Sequence, residues 1–458
     1  MNAGPRGEIL TPPNLSVRET LHFINGEFVR STSGRTFKNG SPVDNRLIAR
    51  VHEAGHAEVE AAVRAAHAAH DGPLGRMAVE ERAKMSYAVT EEINRRFDEF
   101  LQAEVADTGK PVSLVSHIDI PRGAADFGIF ADTVKNAPTE FFQMPTPDGA
   151  GALNYAVRVP KGVVAVICPR NLPLLLMTWK VGPGLACGNT VVVKPWEETP
   201  STGSLLGEVM NQVGVPAGVY NVVHGFGPNS AGEFLTTHPV VDAITFTGET
   251  RTGTAILKAA ADGIKETSME LGGKNPAIVF ADCDFAQAVE ATTRSVFANC
   301  GQVCLGTERV YVERSIFDDF VKRLAESARG MTPGRPKNPS TRIGPLISHA
   351  HRDKVLSYYE KAHAQGAKIV AGGGVPRMEG ALAEGAWVEP TVWTGLPETS
   401  EVVRDEIFGP CCHVAPFDTE EEAIRLAMPS SRRGATTSRR WTSSLSWGAA
   451  RWSADKRT

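Results

Sequence analysis

Cys304 closes the run Phe297-Ala298-Asn299-Cys300-Gly301-Gln302-Val303-Cys304, and Glu270 lies upstream in Met269-Glu270-Leu271-Gly272-Gly273-Lys274. A thiolate attacks a carbonyl where a thiol does not, and the acyl-thioester that results must be released by water that a base activates. A cysteine and a carboxylate therefore suit covalent oxidation or hydrolysis of a carbonyl compound. Most free cysteines are buried, inert hydrophobes, and that reading suffices for Cys187 and Cys283. Beside Cys304, Gly301 and Gln302 instead permit close backbone approach. Cys300 is the weaker nucleophile, sharing a face with Cys304 only if the segment is helical.

Other polar segments punctuate apolar runs. Cys168-Pro169-Arg170-Asn171-Leu172-Pro173 follows Val163-Val164-Ala165-Val166-Ile167, and Lys194-Pro195-Trp196-Glu197 follows Thr190-Val191-Val192-Val193. Gly225-Phe226-Gly227 and Phe246-Thr247-Gly248-Glu249 read alone as glycine turns, and Glu406-Ile407-Phe408-Gly409-Pro410 comes late in the chain. Together with the Cys304 and Glu270 motifs, and in this order, they resemble the aldehyde dehydrogenase superfamily from about His22 to about Ala427. Residues 117–123 and 147–155 carry a narrower likeness to the branch that oxidises muconic semialdehydes of catechol meta-cleavage. The hydroxy substrate is expected ahead of the amino one.

The resemblance implies a role for each matching residue. Cys304 is the nucleophile, Glu270 the base that activates water, and Asn171 the amide donor to the developing oxyanion, beside the backbone N–H of Cys304 itself. Burial would raise the pKa of Glu270 toward neutrality if it is the base. Lys194 and Glu197 hold the adenosine ribose, and a carboxylate there repels a 2′-phosphate, so the expected cofactor is NAD rather than NADP. Gly225, Gly227, Phe246, Gly248 and Glu249 belong near the pyrophosphate, Glu406 and Phe408 at the nicotinamide riboside. Arg122 suits a substrate carboxylate through its bidentate guanidinium. Arg170 departs from the family's usual Trp, and either obstructs the substrate channel or binds a carboxylate there.

The fold implied is α/β, aldehyde dehydrogenase-like: a Rossmann-type NAD-binding domain, an α/β catalytic domain and a bridging hairpin, with the C-terminal part missing. Continuous apolar strands between helical segments agree with a sheet covered on both faces. The expected divisions are a disordered leader over 1–20, an NAD-binding domain from 21–137 and 160–270, a bridging, oligomerising hairpin over 138–159, and an incomplete catalytic domain over 271–427. From Met428 the composition changes abruptly. Residues 428–458 hold six Arg and one Lys against one Asp, three of the seven Trp, and Leu445 as the one large aliphatic besides Met428. This stretch is expected to be an aberrant, disordered basic tail from a frame error or frameshift. An inactive product, with the catalytic sheet left with an open edge, is the competing expectation.

Lys and Arg total 48 against 52 Asp and Glu, so no basic field favours a nucleic-acid partner. No apolar run approaches the roughly 20 residues that span a bilayer. Seven cysteines lacking paired CxxC spacing suggest neither a disulfide framework nor a zinc site, so no metal is expected. The expectation is a cytoplasmic enzyme acting on a small-molecule semialdehyde. A homo-oligomer is the family's habit, doubtful here without the final interface strand.

Overall fold

The computed structural model describes residues 17–428. Two sheets organise the chain, and the direction of their strands decides where chemistry can happen. The first has the order Glu266–Leu271, Ala243–Gly248, Val163–Ile167, Thr190–Lys194, Tyr220–Val222, His22–Ile24, Glu27–Val29. Its first five strands are parallel and the last two antiparallel. From Val163–Ile167 the chain winds outward through two strands, then returns to the other side of that strand. This reversal creates a crevice at the carboxyl ends, where α/β sheets bind ligands.

The strands form here because their residues suit a doubly covered sheet. Val163, Ala165 and Ile167 enter one core with Val192, whereas Val166 enters the opposite core with Val191 and Val193. Burying each Val or Ile contributes roughly 1.5–3 kcal/mol. Helices Pro173–Ala186 and Ser201–Gln212 cover the second face. The other is covered by Thr250–Asp262 and by the Ala-rich His56–Asp71. Glu58 caps the latter helix by accepting from the Gly55 N–H at 2.7 Å. The expected helical stretch over 79–105 is two helices, Val79–Arg95 and Phe97–Thr108, parted at Arg96.

The second sheet has the order Asn275–Val279, Thr307–Glu313, Cys411–Phe417, Thr391–Thr394, Lys368–Ala371, with only the last strand antiparallel. The change of sheet falls between Leu271 and Asn275. Asn275–Val279 is an outer strand, half exposed over four of its five residues and without a further strand beside it among the described residues. Before Val163, Phe141–Met144 and Ala152–Tyr155 form a separate antiparallel hairpin. Phe141 is 70% exposed and Tyr155 65%.

Part of the expected leader is ordered. Arg18–Thr20 is a strand pairing in parallel with Leu47–His52, and Glu19 accepts from Arg30 at 2.6 Å and hydrogen-bonds His52 at 2.9 Å. Backbone pairing plus these contacts overrides the loose composition before it. Residues 1–16 of that leader, and the basic stretch after Met428, lie outside the described residues. No described helix is long and apolar enough to cross a membrane.

Candidate active site

Strand direction brings the motifs together. In the first sheet Ile167 pairs with Lys194 and with Phe246, and Thr247 with Glu270. Carboxyl ends at Cys168–Asn171, Lys194–Glu197, Gly248–Glu249 and Glu270–Gly272 are therefore level at one edge. The second sheet offers the opposite ends. Its neighbouring strands begin at Asn275, Thr307 and Cys411. The segments leading into them, 270–274, 301–306 and 406–410, therefore enter side by side.

Cys304 is half-buried in this cleft. Its thiol pKa is raised by burial, then by the carboxylates of Glu406 and Glu270, which face the sulfur electrostatically. A resting thiol that needs a base is what results. Asn275 Nδ2 donates to the Cys304 carbonyl at 2.6 Å and to that of Gly306 at 3.0 Å, fixing the loop from below. Before the nucleophile, Asn299, Cys300 and Gly301 take φ of 52°, 55° and 69°. Left-handed residues ordinarily occur singly, each non-glycine one costing of order 1–3 kcal/mol. The strain is held by burial: a Cβ on Gly301 would collide with the backbone of Gly409 and Pro410. Cys300 is thus not on a helical face with Cys304. It is fully buried, its thiol pKa pushed far up by burial, and inert. Cys187, read as buried, is exposed.

Asn171 is buried, and its Nδ2 donates to the Gln302 carbonyl at 2.9 Å, so the amide lies on the nucleophile loop. The backbone carbonyl of Asn171 accepts from Lys110 Nζ at 2.9 Å and Asn299 Nδ2 at 3.0 Å. Glu270, by contrast, is exposed. The burial expected of it is not found, because among the described residues Glu266–Leu271 is the outer strand of its sheet and its side chains alternate between exposed and half-buried. Glu406 is the more buried of the two acids, half-buried beside the loop. Its carboxyl is pushed up to about 7 by burial, with the nearby Glu308 adding to the effect. It lies so close to Gly272 that a Cβ there would overlap its carboxylate.

The cofactor-side residues divide. Lys194 Nζ is buried, 3.1 Å from the Pro195 carbonyl and 3.4 Å from Glu197 Oε2, with Glu197 half-buried at the strand end. Gly225 has φ 155°, and a Cβ there would meet Ser230 and Ala231 at 2.9 Å; Gly227 is open. Helix Thr250–Asp262 follows Gly248 and Glu249 and has no side-chain cap, so its first N–H groups suit an anion. Glu249, at its N-cap, turns to Lys354 of the other half at 3.1 Å. Phe246 does not face the cleft: it is 1% exposed, in the core beneath Gly248. Phe408 has φ 62°, its N–H held by Glu308 Oε1 at 2.9 Å. Arg122 is exposed in the first turn of Ile120–Lys135, and its neighbour Gly123 packs on Leu174, three residues from Asn171.

Several residues went unread in the sequence. Lys180 is buried and donates to Thr245 Oγ1 at 2.9 Å and to the Phe246 carbonyl at 3.4 Å. Burial lowers its pKa, and the charge of Glu270 opposes that shift. It is the one charge in the apolar helix Pro173–Ala186, a signal the sequence did offer. Lys110, Lys274, Glu308 and His351 gave none, since their partners are distant in the chain. Arg170 turns to the other half of the chain: its Nη2 meets His351 Nδ1 at 2.9 Å and its guanidinium covers Trp196.

Comparison with known proteins agrees with this geometry. The model of the Aldehyde dehydrogenase family matches residues 28–443, past the point where the composition changes. A 2-hydroxymuconic semialdehyde dehydrogenase of Pseudomonas sp. (strain CF600) is 66% identical over 90% of this chain and 85% of its own. A 2-aminomuconic 6-semialdehyde dehydrogenase of Pseudomonas sp. is 54% identical over 94% and 87%. Among solved structures, an NAD+ complex of an aldehyde dehydrogenase from Bacillus cereus superposes with a TM-score of 0.86 at 36% identity, covering 90% of this chain and 82% of that one.

Proposed function

This chain belongs to the aldehyde dehydrogenase family and is an oxidoreductase, and from that premise we propose that it oxidises 2-hydroxymuconate 6-semialdehyde to 2-hydroxymuconate with NAD. The observation that supports the reading is the hydrogen bond of Asn171 Nδ2 to the Gln302 carbonyl, on the loop that ends at Cys304, with Glu406 and Glu270 near enough to raise that thiol's pKa. Greater identity to the hydroxymuconic than to the aminomuconic relative supports the hydroxy substrate.

Glu270 takes the proton of the Cys304 thiol, and the thiolate adds to the aldehyde carbon. Asn171 Nδ2 and the Cys304 backbone N–H donate to the oxygen as it becomes anionic. Such a donor is typically worth about 100- to 1000-fold in turnover. NAD supplies the hydride acceptor, so that the aldehyde carbon is left at the oxidation level of a thioester on Cys304. Glu270, exposed and so in contact with water, gives that first proton to solvent and, ionised again, takes a proton from the water that attacks the thioester, releasing the acid and the thiolate. Lys194 and Glu197 fit the adenosine ribose, and the uncapped start of Thr250–Asp262 the pyrophosphate. Arg122 supplies the one cation assigned to the substrate carboxylate.

The test is NADH formation by the purified chain, with NADP, and with the amino analogue, run in parallel. Turnover with NAD that is lost in C304A supports the reading, and preference for the amino analogue would change its substrate. A chain that melts cooperatively and is stabilised by NAD, yet forms no NADH, overturns it in favour of an inactive product.

A further inference from the structure

Arg170 stands at the carboxyl end of Val163–Ile167, and His351 in the first turn of His349–Ala364 on the opposite side of the cleft. The Arg170 Nη2 to His351 Nδ1 distance is 2.9 Å, and His351 Nε2 lies 2.7 Å from the backbone carbonyl of Phe408. A guanidinium has donors only. Nδ1 must therefore accept, so Nε2 carries the ring proton and donates to Phe408. A single neutral tautomer satisfies both contacts.

Phe408 needs such support. A bulky side chain at φ 62° is in a region that costs of order 1–3 kcal/mol. The backbone is gripped on both sides, the N–H by Glu308 and the carbonyl by His351. Arg170 is itself held, its guanidinium 5.2 Å from the centre of the Trp196 ring. Trp196 Nε1 in turn donates to Glu198 at 3.0 Å. The charged groups facing Arg170 are Glu198, Glu249 and Glu197, which balance its charge in the cleft. Burial keeps His351 neutral, its pKa held well below the usual range, and the Arg170 charge acts in the same direction.

We propose that Arg170 is a positioning residue that fixes the His351 tautomer across the cleft and through it the strained backbone of Phe408, setting the face presented to the nicotinamide. This rests on the dehydrogenase reading above for the nicotinamide, but the tautomer itself does not.

The test reads the imidazole nitrogens by NMR in the full chain, with His351 assigned by the signal lost in H351Q. The expected result is a neutral, Nε2-protonated ring throughout about pH 5 to pH 8. R170M, which keeps length and loses every donor, should mix the two tautomers and lower kcat about tenfold, the scale of one charged hydrogen bond. KM for the aldehyde should stay within about twofold. R170K, which restores a donor, should recover both signals. A protonated or Nδ1-protonated His351 in the unaltered chain overturns the proposal whatever the variants do. An unchanged tautomer and kcat in folded R170M overturns it equally. Absence of turnover in the unaltered chain with the expected tautomer would instead count against the dehydrogenase reading alone.

Discussion

Lys110 donates through Nζ to the backbone carbonyl of Asn171 at 2.9 Å, placing an ammonium directly beneath the amide assigned to the oxyanion. That ammonium is wholly buried with Glu104 and Asp119, pairing with Asp119 and lying 3.5 Å from Glu104. Burial pushes both carboxyls up against the opposing pull of Lys110. Removing the cation leaves two buried acids facing each other. Breaking a buried pair from one side typically costs about 3–5 kcal/mol. K110M should lose stability on that scale in denaturant melts, and a loss under about 1 kcal/mol would mean that the acids are already both neutral.

Gly272 is required by Glu406 rather than by its own backbone angle, since a Cβ there would overlap the carboxylate. G272A should push Glu406 off the segment that leads from Glu270, and displacements of about 1 Å near reacting groups can reduce turnover by about 100-fold. The coupling is tested by a double-mutant cycle. In an E406A background the added methyl has nothing to strike, so G272A should there cost little further activity. Equal losses in both backgrounds would place the effect elsewhere.

The Cys304 thiol is held up by burial, then by Glu406, then by Glu270. Neutralising either acid therefore makes the thiolate easier to form. The rate of alkylation by iodoacetamide against pH reports this directly, because the thiolate is the reacting form. E406Q should move the midpoint to lower pH, and E270Q should do so by less. A midpoint that rises in E406Q would show that Glu406 does not face the sulfur as a negative charge.

Much of this site was legible before any coordinates, for a physical reason. Buried parallel strands such as Val163–Ile167 and Thr190–Lys194 advertise themselves as continuous β-branched runs, and their carboxyl ends are where polar motifs can gather. Asn171, Lys194 and Glu197 follow such runs, and their roles were implied by the family resemblance of the segments that hold them. Phe246 was misplaced because strand alternation aims its ring into the core while Gly248, two residues on, is at the mouth. The exposure of Glu270 depends on its strand being outermost, which is tertiary information. Arg170 gave no clue to its partner, since His351 lies on a helix of the other half of the chain. The basic stretch after Met428 lies outside the described residues, so the expectation placed on it stands as it was.

Glu406 also sets a pH dependence of stability with a definite sign. Its carboxyl titrates at about 7 in the folded chain against 4.5 for the free group, chiefly through burial. Below 4.5 both states are protonated and the contribution is fully present. As pH rises to about 7 the unfolded chain ionises first, the folded chain holds more protons, and stability falls. Above that the loss is complete and the curve is flat again. Asp107, raised by burial to about 7, and Asp126, raised to about 6, act in the same direction. Urea melts over this range should thus show stability declining with rising pH. E406Q should remove its own share of the decline and leave the rest. A slope identical in E406Q and the unaltered chain would mean that Glu406 is ionised in the fold, which its burial against Gly272 argues against.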